Sequence, residues 1–179
     1  MLNQPDPPAT SAGAADVDPD APPWTLVLAL RIIVGMILVG AATVVLVVVR
    51  QDDLIRVWAQ GNSAVREVLE TRGLDAVKNG SVTPPRFVPV GITEYVVLAS
   101  LVGVLALFLR NGFEWARMAI TVLLFFTGVA AFAGFRVGQP GLFSVCAVVL
   151  MAMFVALMVP LWHPATTAYI HERIEDPLE

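Results

Sequence analysis

The sequence IIVGMILVGAATVVLVVV, residues Ile32–Val49, contains no charged side chain. An α-helix rises about 1.5 Å per residue and a bilayer core is about 30 Å thick, so about 20 apolar residues are needed to cross it. The second uncharged run, Tyr95–Leu109, reaches that length only when Val90–Thr93 and Glu94, at a shallow depth in the membrane, are included. Four such runs therefore predict an all-α fold, a polytopic bundle of four transmembrane helices. The other three are Tyr95–Leu109, Met118–Phe135 and Leu142–Trp162.

Tryptophan residues mark the ends of these runs. Trp24 precedes the first run, Trp115 precedes the third, and Trp162 ends the fourth. In a chain with four spans these three edges lie on the same side of the membrane, and indole rings favour the headgroup layer. We expect spans over about 24–49, 91–109, 115–135 and 142–162, within a membrane domain covering 23–163.

The composition agrees with a membrane protein. The chain is 57% hydrophobic and 15% charged, whereas an average soluble domain is about 25% charged. The net charge of −4 provides no basic surface for nucleic acid, so the expected surroundings are the lipid bilayer. Cys146 is the only cysteine, which excludes an intrachain disulfide or a thiol metal cluster.

Two terminal segments flank the membrane domain. Residues 1–22 are rich in Pro, Ala and Asp, which favours a disordered tail, and they lack the basic residues of a secretory signal. The first span is therefore expected to be retained. Residues 164–179 are expected to form a short interfacial segment, with a helix beginning near Thr166 or Thr167 and with Tyr169 and Ile170 facing lipid.

Gln51–Pro89 is the one long connection, and it joins the first two spans. Its apolar residues recur every three or four positions, which predicts one or two amphipathic helices on the membrane surface. Asn62 and Ser63 are candidate helix N-caps, and Gly73 and the pair Asn79-Gly80 are helix-ending signals. The apolar positions are Leu54, Ile55, Trp58, Val65, Val68 and Leu69.

This connection is also the candidate interaction surface. Leu54 and Trp58 lie on its apolar stripe, beside Arg56 and Arg66. Trp and Arg are enriched at binding hot spots, so this stripe can dock a partner protein. The alternative is a cap that buries its own apolar stripe against the rest of the molecule.

Three charged residues near the spans are the candidate intramembrane or interfacial polar groups. Arg31 lies either on a transport path or at the membrane interface, because the helix 24–49 is about 39 Å long and exceeds the bilayer core. Glu94 is either a proton carrier or an anchor that suits the positive end of a helix dipole. Glu114 is expected on the same side as Arg31 and can pair with it.

No catalytic motif is present. The sequence has no Gly-rich phosphate loop, no GxSxG turn, no HExxH and no CxxC. His163 and His171 lie on one terminal segment, whereas haem subunits place axial histidines within their spans. We therefore expect no enzyme activity, no metal and no cofactor.

The segment RNGFEWAR, residues 110–117, resembles the RxGxxWAR connection of small, largely uncharacterised four-helix integral membrane proteins of actinobacteria. LWHPATTAY, residues 161–169, matches the Leu/Trp/Pro-rich end and the Asn-Ala-Tyr-like motif of that group. The chain departs from the pattern at Glu114 and Thr167. The resemblance implies a four-helix architecture with both termini in the cytoplasm, and it implies no activity.

The charge distribution points to the opposite orientation. Lys and Arg are favoured in cytoplasmic connections, and more of them lie on the side of the long connection than on the side of the termini. We adopt the orientation that the resemblance implies. The basic residues on the side of the connection are Arg50, Arg56, Arg66, Arg72, Lys78, Arg86 and Arg136.

These observations predict a non-enzymatic accessory or scaffold protein of the bacterial plasma membrane, as a subunit of an envelope or respiratory assembly. Its expected partners are a second protein or another copy of the chain. The alternative is a small transporter or channel component that uses Arg31 and Glu94. That alternative requires both charges to face a polar cavity.

Overall fold

A computed structural model describes residues 21–136 and 140–175, with side chains up to Glu172. Within these ranges the chain forms seven helices and no strand. The predicted tail, residues 1–22, lies outside the described residues except for its last two. The helices are α1 (Trp24–Val49), α2 (Gln51–Gly61), α3 (Ser63–Lys78), α4 (Phe87–Arg110), α5 (Glu114–Arg136), α6 (Gly141–Leu161) and α7 (Pro164–Glu175).

Four of the described helices, α1, α4, α5 and α6, are long and apolar enough to cross a membrane. They contain 26, 24, 23 and 21 residues, or about 32 to 39 Å at 1.5 Å per residue. The all-α four-span prediction is confirmed, and the chain fits a multi-pass membrane protein. Only α4 departs clearly from its predicted bounds. It begins at Phe87 because Pro89 lies in its first turn, where a missing N–H costs nothing.

The main core lies at the end of the bundle that carries α7. α1 packs mainly against α6 and α4, while α5 packs against α4 and less extensively against α6. The fully buried side chains of this core come from four spans and from α7. They are Leu26, Ile33, Leu109, Ile120, Leu157, Leu161 and Ile170.

The tight connection between α4 and α5 explains part of RNGFEWAR. Gly112 has φ 85°, a left-handed conformation that favours glycine. Its N–H donates to the Leu109 carbonyl, and the Phe113 N–H donates to the Phe108 carbonyl. These two bonds form a Schellman motif, which is completed by the Phe108 and Phe113 rings with centroids 5.5 Å apart. The connection is therefore a helix stop built from local contacts.

The predicted amphipathic helices of the long connection are α2 and α3, which form a cap on the other end of the bundle. Asn62 is the N-cap of α3, since its side-chain oxygen accepts the Ala64 N–H at 3.1 Å. Gly73 breaks α3 with φ 80°, and α3 ends at Lys78, directly before Asn79. The predicted cap at Asn62 and the predicted stops at Gly73 and Asn79 are confirmed, whereas Ser63 is the first residue of α3 and not its cap. A second, small core of Ile55, Ala59, Val65 and Val77 holds the two helices together.

The C-terminal segment forms α7, which begins at Pro164, before the predicted start at Thr166 or Thr167. The prediction that Tyr169 and Ile170 face lipid is wrong, because both belong to the main core and are 9% and 0% exposed. α7 contacts α1 across the end of the bundle, so these two side chains are turned inward.

Candidate functional site

A buried arginine joins α5 to the C-terminal segment. Arg117, in the first turn of α5, is only 5% exposed. Its Nη2 donates to Glu114 Oε1 at 3.0 Å, and its Nη1 donates to Thr167 Oγ1 at 2.9 Å. Its guanidinium carbon lies 4.4 Å from the centre of the Trp162 ring, close enough for a cation–π contact. We call Arg117, Glu114, Trp162 and Thr167 the Arg117 cluster.

The cluster provides partners for most of the guanidinium group of Arg117, whose charge is costly to bury. An isolated buried charge is strongly unfavourable unless it is paired and hydrogen-bonded. Glu114 supplies the opposite charge, and its side chain remains 45% exposed. Arg117 Nε is the one buried side-chain polar atom of the described residues that lacks a hydrogen-bond partner. The cluster therefore has the character of a structural joint among α5, α6 and α7.

A second polar contact beside the cluster compensates for the N–H that Pro164 lacks. Pro164 has no N–H, so it cannot bond to the carbonyl of Pro160 four residues earlier. The Thr166 hydroxyl donates to that carbonyl at 2.9 Å instead. Thr166 has a single hydroxyl hydrogen, so Thr25 is the donor in the 2.7 Å contact between the two hydroxyls. This chain of bonds ties α1 to the junction of α6 and α7.

Of the three charges predicted near the spans, only Glu114 enters a buried site. The expected pair of Arg31 and Glu114 is not formed, since Glu114 bonds to Arg117 and Arg31 is exposed on α1. Glu94 is likewise exposed on α4. Neither Arg31 nor Glu94 lines either of the cavities described below. An exposed arginine in the second turn of α1 can extend its guanidinium toward the headgroups.

A groove opens at mid-span between α1, α4, α5 and α6, with a volume of 460 Å³. Many of its lining residues are small, and Phe125 and Phe132 flank it on the exposed side of α5. Its hydroxyls are already engaged: Tyr95 donates to the Ile37 carbonyl, and Thr127 donates to the Leu123 carbonyl. We call it the mid-span groove. Its small lining residues are Gly40, Ala99, Gly128, Ala131 and Ala147.

The predicted interaction residues of the long connection are divided between two faces of the cap. Leu54 and Trp58 are half-buried and line a cavity of 570 Å³ between the cap and the bundle, which we call the cap cavity. Arg56 and Arg66 are exposed, and Arg66 Nε donates to the Gln60 carbonyl at 2.7 Å. The apolar stripe thus covers the cap's own underside, as the alternative interpretation held. The remaining lining residues are Val57, Gly61, Asn62, Ser63, Phe87, Gly134 and Pro140.

The histidines lie where the sequence places them, at and beyond the end of α6. The His163 ring is 6.0 Å from that of Trp24, and its Nδ1 accepts the Ala165 N–H at 3.2 Å. His171 is exposed on α7. In the part of the chain that the structure describes, no three His, Cys, Asp or Glu side chains form a group that could hold a metal ion.

Comparison with known proteins finds no match for this chain among protein-family models, curated proteins or solved structures. The function proposed below is therefore inferred from the geometry of the chain itself.

Arg117 is the residue that the sequence analysis did not single out, although a signal was available. Arg117 and Glu114 are three positions apart at the start of a span, which places them on one face of a helix. The other two partners of Arg117, Trp162 and Thr167, could not be inferred in this way. They are 45 and 50 residues further along the chain, and only the packing of α5 against the end of α6 brings them together.

Proposed function

We propose that this chain is a non-enzymatic accessory or scaffold protein of a bacterial plasma membrane. Its task is to hold a partner protein of an envelope or respiratory assembly. The observation that carries this proposal is the position of Arg31 and Glu94. Both are exposed and line neither cavity, so the alternative of a transporter or channel component gains no support from the two charges on which it depends.

The polar groups of the Arg117 cluster support the same proposal. Arg117, Glu114 and Thr167 bond to one another, and Thr25 and Thr166 bond across α1 and α7. Side chains occupied in this way hold helices together and are not free to bind a substrate or move a proton. A rigid end of this kind suits a protein whose function is to hold a neighbour in place.

The surface that we assign to the partner is the outer face of the cap, with Arg56 and Arg66. Both side chains are exposed, and arginine is among the residue types enriched at binding hot spots. Leu54 and Trp58 contribute indirectly, because they hold the cap in its place above the bundle.

The test is affinity purification of the tagged chain in mild detergent, with quantification of the proteins that co-purify. Arg56→Ser with Arg66→Ser should release the partner and leave the helical content unchanged. Arg31→Ser with Arg110→Ser is the matched control, because it removes two exposed arginines at the other end of the bundle. Equal loss in both variants, or no loss in either, contradicts the proposal.

We further propose that both termini are cytoplasmic and that the chain belongs to the actinobacterial group it resembles. The contact between segments 110–117 and 161–169, made by Arg117 with Trp162 and Thr167, supports membership because these are the segments of the resemblance. Single cysteines at Gln60, Asn111 and Glu172 in a Cys146→Ser background test the orientation. A membrane-impermeant reagent should label only position 60 on intact cells, and the reverse pattern contradicts the orientation.

A further inference from the structure

None of the residues that the structure describes fills the mid-span groove. It is lined by α1 from Met36 to Gly40, by α4 from Tyr95 to Val102, and by facing parts of α5 and α6. A Cβ placed on Gly128 would meet no atom within 4 Å, so the space in front of α5 is open. The groove lies within the apolar part of the spans, where the bilayer supplies the surrounding medium.

The dimensions of the groove favour a hydrocarbon chain over another helix. Its 460 Å³ falls within the range of about 300–1,000 Å³ that is typical of small-molecule sites. A helix is about 10–12 Å wide, so even two turns of it occupy on the order of 850 Å³. The groove hydroxyls of Tyr95 and Thr127 already donate to backbone carbonyls, which leaves an apolar lining.

The cap cavity lies above the groove at the same end of the bundle. Phe87 precedes Tyr95 by eight residues on α4, and Gly134 follows Phe132 by two on α5, so the nearest lining residues of the two cavities are about 3–12 Å apart along the helix axes. Asn62 and Ser63 add polar groups to this cavity. The groove has an apolar lining, and the cap cavity is mostly apolar but includes two polar side chains, so polarity rises from the groove toward the cap as it does along a membrane lipid.

Two arginines add positive charge near the cap cavity. Arg86 directly precedes Phe87, and Arg136 follows Gly134 by two residues, so each lies next to a residue that lines the cap cavity. Both are exposed, and neither forms an ion pair with any residue that the structure describes. Basic side chains at the membrane surface attract anionic headgroups.

We propose that the mid-span groove and the cap cavity together bind one anionic phospholipid. One acyl chain lies in the groove, and the phosphate lies beneath the cap within reach of Arg86 and Arg136. This lipid site is independent of the accessory function, since the partner surface is on the outer face of the cap.

Native mass spectrometry of the purified chain in detergent tests the proposal. Phosphatidylglycerol and phosphatidylcholine with identical acyl chains are titrated separately, and bound lipids are counted. We expect one tightly bound phosphatidylglycerol, with a Kd about tenfold or more below that of phosphatidylcholine. Arg86→Gln with Arg136→Gln should abolish this preference, whereas Arg31→Gln with Arg110→Gln, which changes two exposed arginines at the other end of the bundle, should preserve it.

Variants that fill the groove test the acyl-chain site. Gly128→Trp should weaken phosphatidylglycerol binding about tenfold or more, because the indole occupies the space of the chain. Gly103→Trp is the matched control, since Gly103 also faces open space but does not line the groove. Ala131→Phe, a second groove variant, is used if Gly128→Trp lowers helicity or monodispersity.

Three results would overturn the proposal. Equal affinity for the two lipids in the unmodified chain indicates no anionic site. An equal effect of the Gly128 and Gly103 variants indicates only the lipids that surround any span. A dimer that the groove variants convert to a monomer indicates that a second copy, rather than a lipid, fills the groove.

Discussion

At the end of the bundle that carries α7, the four spans close around buried leucine and isoleucine, whereas at the other end they bury few side chains and are covered by α2 and α3. Every described buried residue of α1, α4 and α5 lies in the half nearer α7. α6 adds Leu157, Pro160 and Leu161 there, and only Phe143 near its start. The closed end holds the Arg117 cluster, the open end holds the cap cavity, and the mid-span groove lies between them.

The difference shows what joins helices in a membrane. Lipid tails are as apolar as leucine, so an exposed apolar face drives no association, and close packing or polar bonds must do so. The closed end has both kinds of contact, because Arg117 bonds to Thr167, Thr25 bonds to Thr166, and the connection at Gly112 is tight. These polar bonds join α5 and α1 to α7, whereas the bond from Tyr95 to Ile37 joins α4 directly to α1 beyond the closed end. Mutations at the two ends should therefore differ in their cost.

The largest effect is expected for Arg117→Leu. Removing Arg117 leaves the Glu114 carboxylate partly buried without its partner and removes the contacts to Thr167 and Trp162. The free energy of unfolding, measured by titrating detergent micelles with a denaturing detergent, should fall by about 2–3 kcal/mol.

Arg31→Leu is the matched control for this change. Because Arg31 is exposed, its substitution should lower the free energy of unfolding by less than about 0.5 kcal/mol. Arg117→Lys should recover only part of the loss, since Lys lacks the planar fork that bonds Glu114 and Thr167 together. If Arg117→Leu and Arg31→Leu lower the free energy of unfolding equally, the Arg117 cluster stabilises the fold no more than an exposed arginine does.

The next effect concerns the close approach of α4 to α1. A Cβ on Gly40 would lie 3.1 Å from the Tyr95 ring, which cannot give way without losing its bond to Ile37. Gly40→Val should lower the free energy of unfolding by about 2 kcal/mol through overpacking. Gly103→Val, where the Cβ has open space, should change it little. If both variants are tolerated, α1 and α4 can separate at the open end without cost.

A smaller effect is expected for the threonine pair. Thr166→Val removes the donor to Pro160 and the acceptor from Thr25, and should cost about 1 kcal/mol in the same unfolding assay. Thr127→Val is the control, because Thr127 bonds only to the carbonyl four residues earlier in its own helix. In a double-mutant cycle, Thr25→Val and Thr166→Val should be coupled; additive costs would contradict the bond between them.

The smallest effect is expected when the ion pair between the two cap helices is removed. Lys78 Nζ lies 2.7 Å from Asp52 Oδ1 and links α3 to α2, with the two side chains 32% and 53% exposed. Surface pairs contribute less than about 1 kcal/mol and are screened by salt. Asp52→Asn should slightly accelerate amide hydrogen exchange in α3 at low salt, and the difference should disappear at high salt. A large acceleration at both salt concentrations would mean that the cap depends on this pair.

Local features of the chain could be predicted from its sequence. The predicted bounds of α1, α5 and α6 (24–49, 115–135 and 142–162) agree with the structure within one residue, because bilayer thickness imposes a minimum length on each span. Asn62 as a cap and Gly73 as a break follow from backbone geometry that involves only neighbouring residues.

Contacts between distant residues could not be predicted in this way. Tyr169 and Ile170 were expected to face lipid and are buried, Glu114 bonds to Arg117 rather than to Arg31, and Trp58 covers the underside of the cap.

The sequence by itself determined that the chain forms four spans with an amphipathic connection, where three of the spans begin and end, and which residue caps α3. Only the tertiary structure decided which faces meet, which end closes and where a groove remains. The physical reason is that a span is apolar on all its faces, toward lipid and toward its neighbours alike. The periodic pattern that marks the buried face of a soluble helix is therefore absent, and the inward face is chosen by side-chain fit and by buried polar partners such as those of Arg117.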